Sequence, residues 1–240
     1  MKLKIAVGLC CVFSSTPAMS VAPLPHQVSC VLLPSQQVMV ASSAPGIARS
    51  VSVQRGDFVR KGQPLMRVAS DLELAQQRLA ATKADAAQRK LERFSIAIEQ
   101  RLISDLERDQ LRAEARLAQQ ELQVAQRAVA QKTTLSPISG VVANRKVEPG
   151  QYVGTEPAFE IVVLNPLRIE LVFKGQAFGT IRRGSKINVM LGAPVHAIRQ
   201  GTVTIVDRAL DARSGTFGAR VVLPNPGLTI PAGVQCKAAS

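Results

Sequence analysis

Aromatic residues are scarce in this 240-residue chain: 3% of the total, with no Trp and one Tyr. That excludes an extended platform for stacking bases or sugars. Histidine is nearly absent. His26 and His196 stand alone in sequence, with no second ligand at zinc spacing, so no metal site is expected. Two isolated imidazoles supply little general-base material, and no Ser/His/Asp grouping accompanies them. There is no P-loop and no dinucleotide fingerprint, so no cofactor is expected. Beyond the N-terminus, no segment is long and apolar enough to cross a bilayer. Together these absences predict a protein without catalytic chemistry of its own.

What is present begins with an export signature. Lys2 and Lys4 precede the short apolar run Ile5 to Phe13, and the small residues Ala18 and Ser20 follow. This reads as a secretory signal over residues 1–20, cleaved within a few residues of Ser20, with an uncleaved N-terminal anchor as the alternative. Cys10 and Cys11 leave with it. Cys30 and Cys236 remain in an oxidising compartment, as one disulfide or as two buried thiols.

The formal net charge is +13. Such a surplus first suggests nucleic acid or an anionic membrane surface. Its distribution argues against nucleic acid. Acids and bases nearly cancel from Asp71 to Lys132, and the excess lies in the flanks, above all from Arg168 to Lys237. It falls in pairs such as Arg60–Lys61, Arg145–Lys146 and Arg182–Arg183, not in long runs. A solvated basic β-surface near lipid headgroups or an acidic partner fits better.

Strand-like alternation occupies the chain before Asp71 and again after Lys132, broken by Gly- and Pro-rich turns. Between them, Asp71 to Lys132 contains no Gly and no Pro and is dominated by good helix formers. Leu111, Ala115, Ala118, Leu122, Ala125 and Val129 step alternately by four and three, a coiled-coil seam. Leu72, Ala75, Leu79, Thr82 and Ala86 step similarly and are the expected seam of the first helix. Asp71 is the expected cap of that helix. Ser104-Asp-Leu-Glu107 is a capping box that opens the second. The region therefore reads as two helices of about 30 residues, each spanning about 45 Å, joined by a tight turn. One narrow seam per helix predicts a hairpin that projects from a small β-domain.

The segments flanking the helices repeat one another. Val53-Gln-Arg-Gly56-Asp57-Phe58-Val59 matches Val147-Glu-Pro-Gly150-Gln151-Tyr152-Val153 in register. Gly56 and Gly150 are expected in turns of positive φ, with the aromatic and the following Val returning to the core. Gly62 and Gly140 are further turn glycines of the two half-motifs. Two halves so far apart imply one β-domain split by an insertion.

The half-motif Gly56-Asp-Phe-Val-Arg-Lys-Gly62-Gln-Pro-Leu65 resembles lipoyl and biotinyl carrier domains. A lipoyl fold interrupted by a helical hairpin resembles the periplasmic adaptor, or membrane fusion protein, family (HlyD-like) of efflux pumps. Thr133-Thr-Leu-Ser-Pro137-Ile-Ser-Gly140-Val-Val is similar to that family's return strand. Asp211-Ala-Arg-Ser-Gly-Thr216, Leu223-Pro-Asn-Pro-Gly-Leu and Ile230-Pro-Ala-Gly233 are similar to the end of its β-barrel domain.

The resemblance implies an α+β fold: a split lipoyl-like β-domain with an inserted antiparallel α-helical hairpin, plus a β-barrel domain. After the signal come an N-terminal segment joining the barrel (21–40), the first lipoyl half (41–70), the hairpin (71–132), the second half (133–164) and the barrel (165–240). It implies a protein of the Gram-negative periplasm, associated with the inner membrane. The adaptor would bridge an RND or ABC inner-membrane transporter to a TolC-like outer-membrane channel, and self-associate into a ring.

Channel docking in the family involves Arg, Leu and Ser near the hairpin tip. These map onto Arg93, Ala97 with Ile98 beside it, and Ser104. The first and last strands meet in the family's barrel, which would make Cys30 and Cys236 neighbours able to form a disulfide. Little chain follows Gly233, so the membrane-proximal domain of longer adaptors is expected to be minimal or missing. Two rival functions stay open. One is a lipoyl- or biotinyl-type carrier, which needs a modified Lys at the turn between the halves. The other is a basic exported coiled-coil binding protein.

Overall fold

A computed structural model describes residues 27–100 and 102–239. The signal reading, Cys10, Cys11 and His26 lie outside the described residues. The content is mixed α and β, mostly β. Two compact units share the chain. A split unit comprises Leu33–Arg168 and Pro224–Ala232; a terminal unit comprises the described residues up to Leu32, Ile169–Leu223 and the residues from Gly233 onward.

In the split unit lie the later part of β1 (Gln27–Ala41), β2 (Gly46–Val51), β3 (Phe58–Val59) and β4 (Pro64–Val68). After the helices come β5 (Thr133–Leu135), β6 (Gly140–Arg145), β7 (Tyr152–Val153) and the first part of β8 (Pro157–Lys174). β1 pairs with β8, and the pairings of β2 with β4 and β7, β4 with β5, β3 with β6, and β6 with β8 are antiparallel. Val59, Leu65, Met66, Val142, Phe159 and Ile161 fill the core. Leu65 and Met66 are neighbours in sequence, yet both are buried. A register shift between Pro64 and Met66 breaks the alternation that would send one of them outward.

The sequence repeat becomes a two-fold exchange of hydrogen bonds. Gly56 N–H donates to the Val142 carbonyl (2.9 Å), and Val142 N–H donates to the Asp57 carbonyl (2.9 Å). In the other half Gly150 N–H donates to the Ala48 carbonyl (2.8 Å), and Ala48 N–H donates to the Gln151 carbonyl (2.8 Å). Each half therefore closes its turn on the other half's strand. Gly56 and Gly150 have φ of 96° and 88°, and Val53, Val59, Val147 and Val153 are all buried.

Two expectations fail here. Phe58 and Tyr152 do not return to the core: they are 57% and 65% exposed. In two-residue strands with Val inward, alternation leaves the aromatic outside. Gly140 is not a turn residue either. It opens β6 opposite Val59, and a Cβ there would lie 2.5 Å from the Val162 carbonyl oxygen, so close backbone approach demands the glycine.

Between the halves run α1 (Asp71–Arg93), the short α2 (Ser95–Glu99) and α3 (Asp105–Gln131). Ion pairs Lys83–Glu121 (3.6 Å) and Lys90–Glu114 (2.8 Å) join α1 to α3, and Glu73 pairs with Lys132 (2.9 Å) just after the end of α3. Each step forward on α1 is matched by a step back on α3, so the two run antiparallel. α1 has 23 residues and α3 has 27, or about 35 and 40 Å, shorter than expected. The shortfall falls after Arg93. There Ser95, Ile96 and Ile98 are poorer helix formers than the residues before them. Ser70, not Asp71, occupies the N-cap position; Asp71 is the first helical residue and pairs with Arg49.

The α3 seam lies where the spacing predicts: Leu111 and Ala115 are buried, and Ala118, Leu122, Ala125 and Val129 are half-buried. The α1 seam does not. Ala80, Ala84 and Ala87 are buried, whereas Leu72 and Leu79 are 66% and 60% exposed. The true seam is rotated by one residue, about 100°, from the expected one. Alanines let the two axes approach closely and receive the larger α3 side chains.

The terminal unit carries β9 (Lys186–Leu191), β10 (Ile198–Val206), β11 (Thr216–Leu223) and β12 (Cys236–Ala239). β10 pairs with β9 and β11, and β12 pairs with β9. β11 alternates strictly, with Phe217, Ala219, Val221 and Leu223 buried. Cys30 and Cys236 are joined by a disulfide with Cα atoms 5.0 Å apart. Backbone hydrogen bonds from Leu32 to Val234 and from Gly233 to Leu32 accompany it.

Candidate interaction surfaces

The turn between α1 and α3 is closed by Leu102 N–H donating to the Ala97 carbonyl (2.9 Å). Ser104 Oγ then accepts from Glu107 N–H (3.1 Å) and caps α3. Arg108 pairs with Asp105 (2.7 Å) and Asp109 (3.2 Å). The Asp109 hydrogen bond, with the two carboxylate charges, raises its guanidinium above the ordinary arginine range. Ile98, Ile103, Ser104 and Arg108 line one groove. Ser104 and Ile98 are thus brought together. Arg93 ends α1 and lines a different depression, with Ala86, Arg89 and Glu92. It is exposed and forms no ion pair among the described residues.

At the other end of the helices, Lys132 Nζ bridges Glu73 and the Pro45 carbonyl (3.4 Å). The Lys132 hydrogen bond holds the Glu73 carboxyl below its ordinary range. Lys132 N–H and carbonyl bond to Val129 and Val68, tying helix end to sheet.

The side chains that sequence reasoning missed lie along α3, and those it misplaced lie along α1. On α3, Leu106, Ala113, Leu117 and Val124 repeat by seven and four and are all exposed; Leu117 is 64% and Val124 69% exposed. On α1, Leu72, Ala75, Leu79 and Ala86 form the counterpart. Each helix therefore carries two apolar stripes, one spent on its partner helix and one uncovered. The seven- and four-residue spacing of the α3 stripe was present in sequence, but beside the first stripe it reads as the same signal; on α1 the exposed stripe was itself read as the seam.

Gly56, Gly62 and Gly150 sit in turns of positive φ, with Gly62 at 83°. Lys61 is exposed in the turn closed by Gln63 N–H on the Arg60 carbonyl (3.0 Å). The join between the two β halves, where a carrier would need its lysine, is occupied by α1 to α3. Among the described residues no cluster of His, Cys, Asp and Glu could hold a metal, and no helix is long and apolar enough to cross a membrane.

A family model for the CzcB-like barrel-sandwich hybrid domain matches residues 36–162. The nickel-cobalt-cadmium resistance protein NccB of Alcaligenes xylosoxydans xylosoxydans is 28% identical over 91% of this chain and 58% of its own length. The efflux pump periplasmic linker BepD of Brucella suis biovar 1 is 23% identical over 85% of this chain and 59% of its own. The chain thus spans somewhat over half the length of these relatives. Among solved structures, a MacA-MexA chimera carrying the Pseudomonas aeruginosa MexA α-hairpin domain superposes with a TM-score of 0.77 at 17% identity. That match covers 92% of this chain and 80% of the chimera.

Proposed function

We propose, from the premise that the chain belongs to the CzcB-like barrel-sandwich hybrid family of efflux membrane fusion proteins, that it is the periplasmic adaptor of a tripartite efflux or secretion system. It has no chemistry of its own. Its inserted helical hairpin reaches a TolC-like outer-membrane channel through Arg93, Ala97, Ile98 and Ser104. Its terminal β-unit meets an inner-membrane transporter of RND or ABC type. Copies pack side by side in a ring.

The observation that carries this reading is the uncovered second stripe on both helices. A solitary hairpin needs one apolar seam. A second at heptad spacing fits helices that meet further helices, whether of a neighbouring copy or of a channel. Ring formation has its own support in the split unit. The exchanged halves leave Phe58 on one strand and Tyr152 on its counterpart, both exposed. Two like patches on one unit suit a head-to-tail contact, which closes into a ring when the rotation allows.

The test is site-specific crosslinking in intact envelopes from a photoreactive residue at Leu117 and, separately, at Ser104. Leu117 should capture a second copy or a channel subunit, and Ser104 a channel subunit. Monomeric, uncrosslinked protein from both positions in cells that actively export would refute the adaptor reading.

A further inference from the structure

One end of the terminal unit concentrates charge and apolar surface. The loop after the 3-10 turn Gly175–Ala177 carries Phe178, Arg182 and Arg183, and the end of β10 carries Ile205 and Arg208. These segments share a groove of about 420 Å³ lined by Phe178, Ile181, Arg183, Ile205, Asp207 and Arg208. Phe178 is half exposed, with its ring standing edge-on to Phe217 (5.4 Å). Leu210 lies at the same end, beside Gly175, and is also exposed.

The charge there is net positive. Gly175 N–H donates to the Gly215 carbonyl (2.8 Å), so this end gathers Lys174, Arg182, Arg183, Arg208 and Arg213 against Asp207 and Asp211. Of the acids, Asp207 accepts from Gly218 N–H (3.0 Å) and Asp211 accepts from the N–H groups of Arg213 (3.0 Å) and Ser214 (2.8 Å). Both carboxylates hold turn backbone and keep their charge, which the five cations outnumber. Arg182, Arg183 and Arg208 form no ion pair among the described residues.

We infer that this end of the terminal unit docks on a bilayer surface rich in anionic phospholipid headgroups. The apolar side chains enter the headgroup boundary and the three guanidinium groups pair with phosphates. The occupant follows from charge and from the kind of apolar surface. Phe178, Ile205 and Leu210 stand exposed on loops and a strand end, flanked by cations, which is the arrangement that suits an interface without fixed geometry. The cations come from three separate segments of this end, Lys174, Arg182–Arg183 and Arg208–Arg213, as an extended anionic plane would select, whereas one acidic loop of a protein would need only a local patch. This inference is independent of the adaptor reading.

The test uses the whole chain and vesicles of phosphatidylcholine alone or with an equal part of phosphatidylglycerol. Cosedimentation should be confined to the anionic vesicles and should weaken with salt. Each cation near such a surface is worth about fivefold in partitioning, so Arg182→Gln/Arg183→Gln should lower it roughly thirtyfold. Ile205→Ser should lower it about tenfold with charge unchanged. Arg112→Gln/Arg116→Gln removes the same charge from α3 and should change nothing. Native chain that ignores both vesicle types, or loses equal binding in the α3 pair, overturns the inference. So does binding to polyglutamate beads together with indifference to anionic vesicles, which assigns the surface to an acidic protein.

Discussion

Breaking the Cys30–Cys236 bond should loosen the terminal unit and leave the helices unchanged. The two cysteines are 206 residues apart, so the bond closes a loop of nearly the whole chain. In the chain-entropy model such a loop confers about 5 kcal/mol by restricting the unfolded state. Native strain and residual unfolded structure reduce that figure, so it is an upper bound. At 2–4 °C per kcal/mol for a chain of this size, reduction should lower the unfolding temperature by up to about 20 °C.

The effect is local in the native state. The bond joins the start of β1 to β12, and β12 pairs only with β9 among the pairings described. Hydrogen exchange read by mass spectrometry, with and without a phosphine reductant, separates the cases. Peptides covering 27–32, 186–191 and 236–239 should lose protection, while those covering α1 and α3 should not. Serine at both cysteines should reproduce the reduced state. Two titratable thiols in the denatured oxidised protein, or equal loss of protection in helices and strands, would sink the reasoning.

Leu111→Asp places a carboxylate on a side chain only 7% exposed. It should cost about 3 kcal/mol or more and fray the α1–α3 pair, seen as lost helical circular dichroism. Leu117→Asp, on the uncovered stripe, should leave that signal within about 0.5 kcal/mol of the native unfolding curve. Equal damage from both would mean the seam is misassigned. Arg93→Asp should abolish export in a drug- or metal-tolerance assay with folding intact; full activity with retained channel crosslinking would remove Arg93 from the docking tip. Asp211 is held below the ordinary Asp range, first by the Ser214 backbone hydrogen bond. A depressed carboxyl stabilises the fold fully above its unfolded pKa, and that contribution fades as pH falls through the folded value. Exchange protection of the 211–216 turn should therefore drop on acidification below the ordinary Asp range, and Asp211→Asn should flatten the profile.

The parts of the fold that were legible in sequence are those where residue types contrast. On α3, Leu and Val stand out against Gln, Arg and Glu, so both the period and the facing of the seam could be read. On α1, alanines lie on both faces, and a 4/3 spacing starting at Leu72 is as regular as one starting at Glu73. Period alone gives spacing and not phase; the ion pairs Lys83–Glu121 and Lys90–Glu114 decide between them, and those need the partner helix. The half-motif repeat was legible in Val and Gly, because burial and positive φ constrain them directly. Phe58 and Tyr152 were misplaced because hydrophobicity suggests burial, and only strand length tells which way a side chain must face.

That misreading of α1 carries the functional weight. A single seam per helix argued for a hairpin standing free in solvent. Leu72 and Leu79 lie outside while Ala80, Ala84 and Ala87, with Leu91 half-buried, make the seam, so two of the bulkiest side chains of α1 are not used in its own packing. Leu and Val at Leu117 and Val124 repeat the pattern on α3. Large exposed apolar residues scattered singly need no explanation, but here they recur at heptad spacing on both helices of one pair. An Ala seam between α1 and α3 gives up contact area that leucines would have supplied, and Leu72, Leu79, Leu117 and Val124 stay exposed instead. On the proposed adaptor reading another helix covers them, and this is why crosslinking at Leu117 discriminates that reading more sharply than any measurement on the isolated chain.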